Sequence, residues 1–151
     1  MQQDLEHNLQ SALNGFVVDC REEIPKDDSE LKIWIFARKD LTLSLGKFGA
    51  QSAHAAGTCM VLTDRGNSVD VNDYLALGQP KIVVGIDDEA ELVKAVELCR
   101  AEMLVTVLVQ DAGRTELGEK TLTMGAVGPC RRNDLPKPVK RLRTFKVPEP
   151  A

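Results

Sequence analysis

Hydrophobic positions come in two periods along this chain, and together they lay out an alternating β/α order. Leu31-Lys32-Ile33-Trp34-Ile35-Phe36-Ala37 is nearly continuous in apolar character, which predicts a strand buried on both faces. Lys81-Ile82-Val83-Val84-Gly85-Ile86 and Leu104-Val105-Thr106-Val107-Leu108-Val109 read the same way, and Thr121 to Val127 predicts a last strand. Helical spacing appears between them. The alanine-rich stretch from about Lys47 to Met60 predicts a helix whose small residues let it approach a sheet closely, with Asp40 to Leu45 as the feeding loop and Gly46 at its turn. Asp64 to Ser68 reads as a loop and Val71 to Leu77 as a short helical piece. A clearer helix follows Asp87 or Asp88 as its cap, with Leu92, Val93, Val96 and Cys99 facing inward. Leu5, Leu9 and Leu13 place a short amphipathic helix within an N-terminal extension, residues 1–30. The order β-α-(α)-β-α-β-β predicts a single α/β domain over residues 31–146, a three-layer sandwich with a mixed sheet of about four strands and helices on both faces. Residues 147–151 form a tail.

Composition narrows the class. With 151 residues, 43% hydrophobic and 28% charged, the chain has the makeup of a soluble domain with one core. Its acidic, polar start and the lack of a long apolar run predict a cytoplasmic protein with no membrane segment. Cys20, Cys59, Cys99 and Cys130 are scattered without a C-x-x-C pair, and there are only two histidines. Neither a metal site nor a disulfide framework is expected, and the cysteines read as reduced and mostly buried. Charge is uneven. Residues 131–146 hold seven basic side chains against Asp134, a net of +6, whereas residues 1–130 hold 12 basic and 21 acidic ones, a net of −9. Such asymmetry fits a local anion-binding surface on an acidic body, and equally a solvated basic tail.

Two polar clusters carry the candidate chemistry. Gln110-Asp111-Ala112-Gly113-Arg114-Thr115 follows an apolar strand, the place where an α/β sheet presents its ligand-binding edge. The second cluster is Asp40, Gly46, Lys47, Gln51 and His54, where spacings of three and four put Lys47, Gln51 and His54 on one helix stripe. Gly113 to Thr121 has the outline of a phosphate-binding loop, but Glu119 intrudes before Lys120 and β-branched alternation follows where a helix is needed. No G-x-S-x-G elbow is present.

Asp40-Leu41, Gly46-Lys47, Ala50-Gln51, His54-Ala55, Gly78-Gln79-Pro80-Lys81-Ile82-Val83, Gln110 to Thr115 and Gly128-Pro129, in that order, resemble the type 2 (archaeal and eukaryotic-type) peptidyl-tRNA hydrolases over about Leu31 to Phe145. The resemblance implies cleavage of the ester between a peptide and the terminal ribose of tRNA, without metal or other cofactor, by a chain that forms a homodimer. It implies Lys47, His54, Asp111 and Thr123 as catalytic residues. Asp111 or His54 would act on the water, and Lys47 would stabilise the oxyanion or hold the terminal phosphate. Gln51, Gly113, Arg114, Thr115, Lys140 and Arg141 would bind substrate, the last two through tRNA phosphates. The sequence departs from the family at Leu43 (usually methionine), Ser44-Leu45 (a glycine–lysine pair), Gly49 (alanine) and Tyr74 (commonly tryptophan), and its Thr58–Leu75 segment is shorter and less basic. These departures motivate an alternative, a catalytically drifted relative serving as a tRNA- or protein-binding regulatory module.

Overall fold

A computed structural model describes residues 30–66, 69, 71–113 and 117–147. The expected N-terminal helix, Cys20, Arg114 and Thr115 lie outside the described residues. Four strands, β1 (Leu31–Arg38), β2 (Lys81–Ile86), β3 (Thr106–Asp111) and β4 (Thr121–Arg131), form one mixed sheet in the order β2-β1-β4-β3. Strand β1 is central, which is why seven consecutive residues of it are buried. It runs parallel to β2 and antiparallel to β4, and β3 is antiparallel to β4. Strands β1, β2 and β3 therefore end at the same edge, at Arg38, Ile86 and Asp111, and β4 begins there at Thr121.

Alternation along β1 divides the core in two. Ile33, Ile35 and Ala37 face α1 (Leu45–Gly66) and α2 (Val71–Ala76), packing with Ala55, Ala56, Cys59, Tyr74, Val109 and Met124. Trp34 and Phe36 face α3 (Glu89–Ala101), packing with Leu92, Val96, Cys99 and Val127, and a short α4 (Lys137–Lys140) joins that layer through Val139. The three-layer α/β sandwich expected from the sequence is the one observed. Close approach is built in at Gly125, where a Cβ would lie 2.9 Å from Val96 Cγ2 and 3.1 Å from Leu92 Cδ1. The outer edge of β2 is covered by the C-terminal segment: Gly85 N donates to Arg143 O (2.9 Å) and Phe145 N to Val83 O (2.8 Å). Such cover removes an open strand edge.

Element bounds differ from the sequence reading in instructive ways. Helix α1 starts two residues early because Ser44 caps it, its Oγ accepting from Lys47 N at 3.2 Å, so Gly46 sits inside the first turn and serves no loop. It also runs on through Asp64-Arg65-Gly66, whose polarity belongs to an exposed last turn beside buried Thr63. In α3 the inward position is Ala95, with Val93 only half-buried; Asp88 is the cap, accepting from Glu91 N at 2.9 Å. Strand β3 begins at Thr106, and β4 continues past Val127 to Arg131 through a register shift opposite Lys32 and Trp34. Cys59, Cys99 and Cys130 are buried free thiols, each pushed up to about 12 by desolvation. Thiols so raised stay protonated and unreactive at neutral pH. No helix among the described residues is long and apolar enough to cross a membrane.

Candidate active site

The carboxyl edge on the α1 side gathers the polar side chains that the two sequence clusters supply. The Ser44 cap fixes Lys47 at the third position of α1, and Asp111 is the last residue of β3. Lys47 Nζ and Asp111 Oδ1 form an ion pair joining residues 64 positions apart, with side chains only 12% and 8% exposed. The other carboxylate oxygen, Oδ2, accepts from Gly113 N at 3.0 Å, a turn that Gly113 closes with φ +78°. Asp111 is thus held from both sides.

Thr123 reaches the same layer through a β-bulge. Val109 pairs with Met124 but Gln110 pairs with Leu122, leaving Thr123 as the extra residue on β4. A bulge re-aims a side chain, and here two successive residues both meet α1. Thr123 Oγ1 donates to Gln51 Oε1 at 2.5 Å, with Val109 O at 3.4 Å, and Ser52 Oγ lies 3.4 Å from Met124 Sδ. Thr123 is fully buried and Gln51 nearly so. Their bond ties α1 to β4 directly beside the Lys47–Asp111 pair.

A further anchor, absent from the sequence candidates, is Arg38. Its guanidinium grips Asp40 with two bonds (2.9 and 2.7 Å) and donates to Leu122 O (2.8 Å), tying the end of β1 to the start of β4. The only sequence signal for it is its place two residues before Asp40 at a strand end. The hydrogen bond from Arg38 is the main reason the Asp40 carboxyl titrates below the usual aspartate range, with burial opposing it. A carboxyl depressed on folding contributes stability above its unfolded value and loses it as pH falls through the folded one. Asp40→Asn is accordingly expected to lower Tm modestly at pH 7, with the deficit shrinking below about pH 4. Thermal melts across that range check this, and a deficit constant with pH would assign it to packing.

The remaining candidates are dispersed. His54 lies about 10 Å further along α1 than Lys47 at the helical rise, and it is exposed. Lys140 and Arg141 close α4 on the α3 side of the sheet, with Lys140 Nζ 3.4 Å from Asn133 O. Among the described residues no group of three His, Cys, Asp or Glu side chains is arranged to hold a metal ion.

The family described as Peptidyl-tRNA hydrolase PTH2 matches residues 31–145, all four strands and every helix of the sandwich. The chain belongs to this family. It is 35% identical over 107 residues to the peptidyl-tRNA hydrolase of Methanocaldococcus jannaschii, covering 71% of this chain and 93% of that protein. It is 36% identical over 106 residues to the peptidyl-tRNA hydrolase of Thermoplasma acidophilum, covering 70% and 91%. It is also similar to the human protein named peptidyl-tRNA hydrolase 2, mitochondrial, with 31% identity over 119 residues, 79% of this chain and 66% of that one.

Within a peptidyl-tRNA hydrolase fold the sequence departures are absorbed locally. Ser44 becomes the cap of α1, and Leu45 beside it is 88% exposed. Tyr74 is fully buried, its hydroxyl donating to Pro80 O at 3.0 Å and its ring 5.2 Å from Lys81 Nζ. Of these, Ser44 meets the pair's own residue, through the backbone N–H of Lys47.

Proposed function

We propose that this chain hydrolyses the ester joining a peptide to the terminal ribose of tRNA, releasing free tRNA and peptide. The observation that carries the reading is the buried Lys47–Asp111 pair at the carboxyl edge of the family's sheet. An ester needs a positioned water, a proton acceptor and a donor for the developing oxyanion. Asp111 orients the water and takes its proton as the oxygen adds to the carbonyl carbon. Lys47 stabilises the negative charge on the carbonyl oxygen. When the tetrahedral intermediate collapses, the C–O bond to the ribose breaks and the ribose oxygen recovers the proton. Gln51, one turn beyond Lys47 in α1, is hydrogen-bonded to Thr123 of β4 and so holds this stretch of the helix against the sheet. Exposed His54 is a less suitable base than buried Asp111, and we assign it no proton transfer. The reading extends to a metal-independent, cytoplasmic homodimer, which chelator titration of the assay and sedimentation check.

Phosphates of the tRNA meet the basic C-terminal segment, including Lys140 and Arg141. Binding is then expected to weaken linearly in log Kd against log salt, and reversing both charges in Lys140→Glu/Arg141→Glu is expected to reduce the slope by about 1–2. Filter binding between about 50 and 200 mM salt is the check. A slope unchanged by the double reversal would remove these two residues from the interface. The activity itself is tested by free tRNA release from N-acetyl-aminoacyl-tRNA at substoichiometric protein. Multiple turnover is expected, and binding without release would move the chain to the regulatory-module reading.

A further inference from the structure

An apolar cleft of about 380 Å³ opens at the same sheet edge, where Arg38 ends β1, and the hydrolytic scheme leaves it without a role. Leu43, Leu45, Phe48, Met124 and Phe145 are among its lining residues. Phe48 directly follows Lys47 in α1 and Met124 directly follows Thr123 in β4, so the two elements that carry the site also wall the cleft. Two aromatic rings stand in its wall, Phe48 and Phe145, with centroids 5.0 Å apart and planes tilted by 37°. On the far side it adjoins a second cleft of about 790 Å³, and Lys39 lines both. That second cleft carries Arg141, Arg143 and Lys146 as well as Lys39, against Asp87 and Glu91. Lys39 is 2.8 Å from Asp87. Phe145 stands in the chain between Thr144 and Lys146, which line the cationic cleft.

The order across this edge is therefore ion pair, apolar cleft, cationic cleft. The substrate has the same order of chemistry: ester, terminal nucleoside, phosphodiester chain. Resting on the hydrolase reading above, we propose that the apolar cleft holds the terminal nucleobase of the RNA, with the first phosphates entering the cationic cleft. An acyl side chain leaves the ester carbonyl on the opposite side from the ribose. Seating it here would turn the phosphates away from Arg141, Arg143 and Lys146. Phenylalanine faces in an aliphatic surround suit a base, because every base presents a π-face and stacking gains free energy without reading base edges. The exposed Leu45 extends that apolar wall at the mouth.

The test compares kcat/KM for N-acetyl-leucyl esters of the trinucleotide CCA and of the same oligomer lacking its last base. Wild-type protein is expected to favour the intact oligomer by about tenfold, within the range of one base–aromatic stack, and Phe145→Leu to bring the ratio toward one. Phe145→Leu keeps apolar bulk, and a thermal melt confirms its fold. A second measurement needs no variant: adenosine 5′-monophosphate is expected to inhibit wild-type hydrolysis about tenfold more strongly than ribose 5-phosphate. A ratio near one in the wild type, or equal inhibition by the two phosphates, overturns the base pocket while leaving the hydrolase reading intact. A ratio that instead follows the acyl residue, leucyl against aspartyl ester, gives the cleft to the peptide and also overturns it. Failure to release tRNA from any ester, full-length substrate included, overturns the hydrolase reading and this one with it.

Discussion

Lys47→Ala and Asp111→Ala are each expected to lower kcat/KM by about 10²–10⁴, the range seen when a positioned base or an oxyanion donor is removed. Each is also expected to destabilise the fold by about 3–5 kcal/mol, because either change leaves one buried charge without its partner. The two effects separate in a double replacement. Lys47→Met/Asp111→Leu removes both charges together and fills similar volume, so much of the lost stability is expected to return while activity stays absent. Urea unfolding with tRNA release on the same four proteins makes the comparison. A double variant that regains activity together with stability would mean that the pair only supports the fold.

Gly113→Ala is the second change with a large expected effect, and it acts through Asp111 without touching it. Gly113 has φ +78°, and a Cβ there would lie 2.5 Å from the backbone carbonyl carbon of Glu119 and 2.7 Å from its Cα. The obstruction is backbone, so the loop itself must shift. The left-handed conformation costs a further ~1–2 kcal/mol for a residue with a Cβ. That shift moves the N–H which holds Asp111 Oδ2, and a misplacement of about 1 Å at a reacting group is worth up to 10² in rate. A drop in kcat of about 10–100-fold with a smaller change in KM is the expected pattern. Lowered Tm with kcat unchanged would show that Asp111 is held in place without this turn.

How far the sequence could be read follows from where each signal lives. Strand β1 was legible because burial on both faces writes a continuous apolar run, and α3 because its cap and apolar stripe are local. Lys47 and Asp111 were legible as members of polar clusters at element ends, positions where an α/β sheet exposes side chains. Their pairing across 64 residues is tertiary and has no local mark. Thr123 came into view only through the family resemblance. Its reach toward Gln51 depends on a bulge, and one extra residue in a strand leaves the alternation pattern looking unbroken. His54 shows what residue count alone leaves open. It shares a stripe with Lys47 by residue count, yet a helix stripe that starts at the sheet edge need not remain there two turns on, and His54 is exposed. Phe48 and Phe145 gave no signal as a pair, since one sits in a helix and the other in the strap along β2.

Catalysis by the Lys47–Asp111 pair is tested most directly by free tRNA release from N-acetyl-aminoacyl-tRNA by wild-type protein and by Lys47→Met/Asp111→Leu, matched for folded fraction. A catalytic ion pair predicts multiple turnover by the wild type and a loss of at least about 100-fold in the double variant. Equal release by the two proteins would contradict it, as would a wild-type protein that binds the substrate and leaves the ester whole.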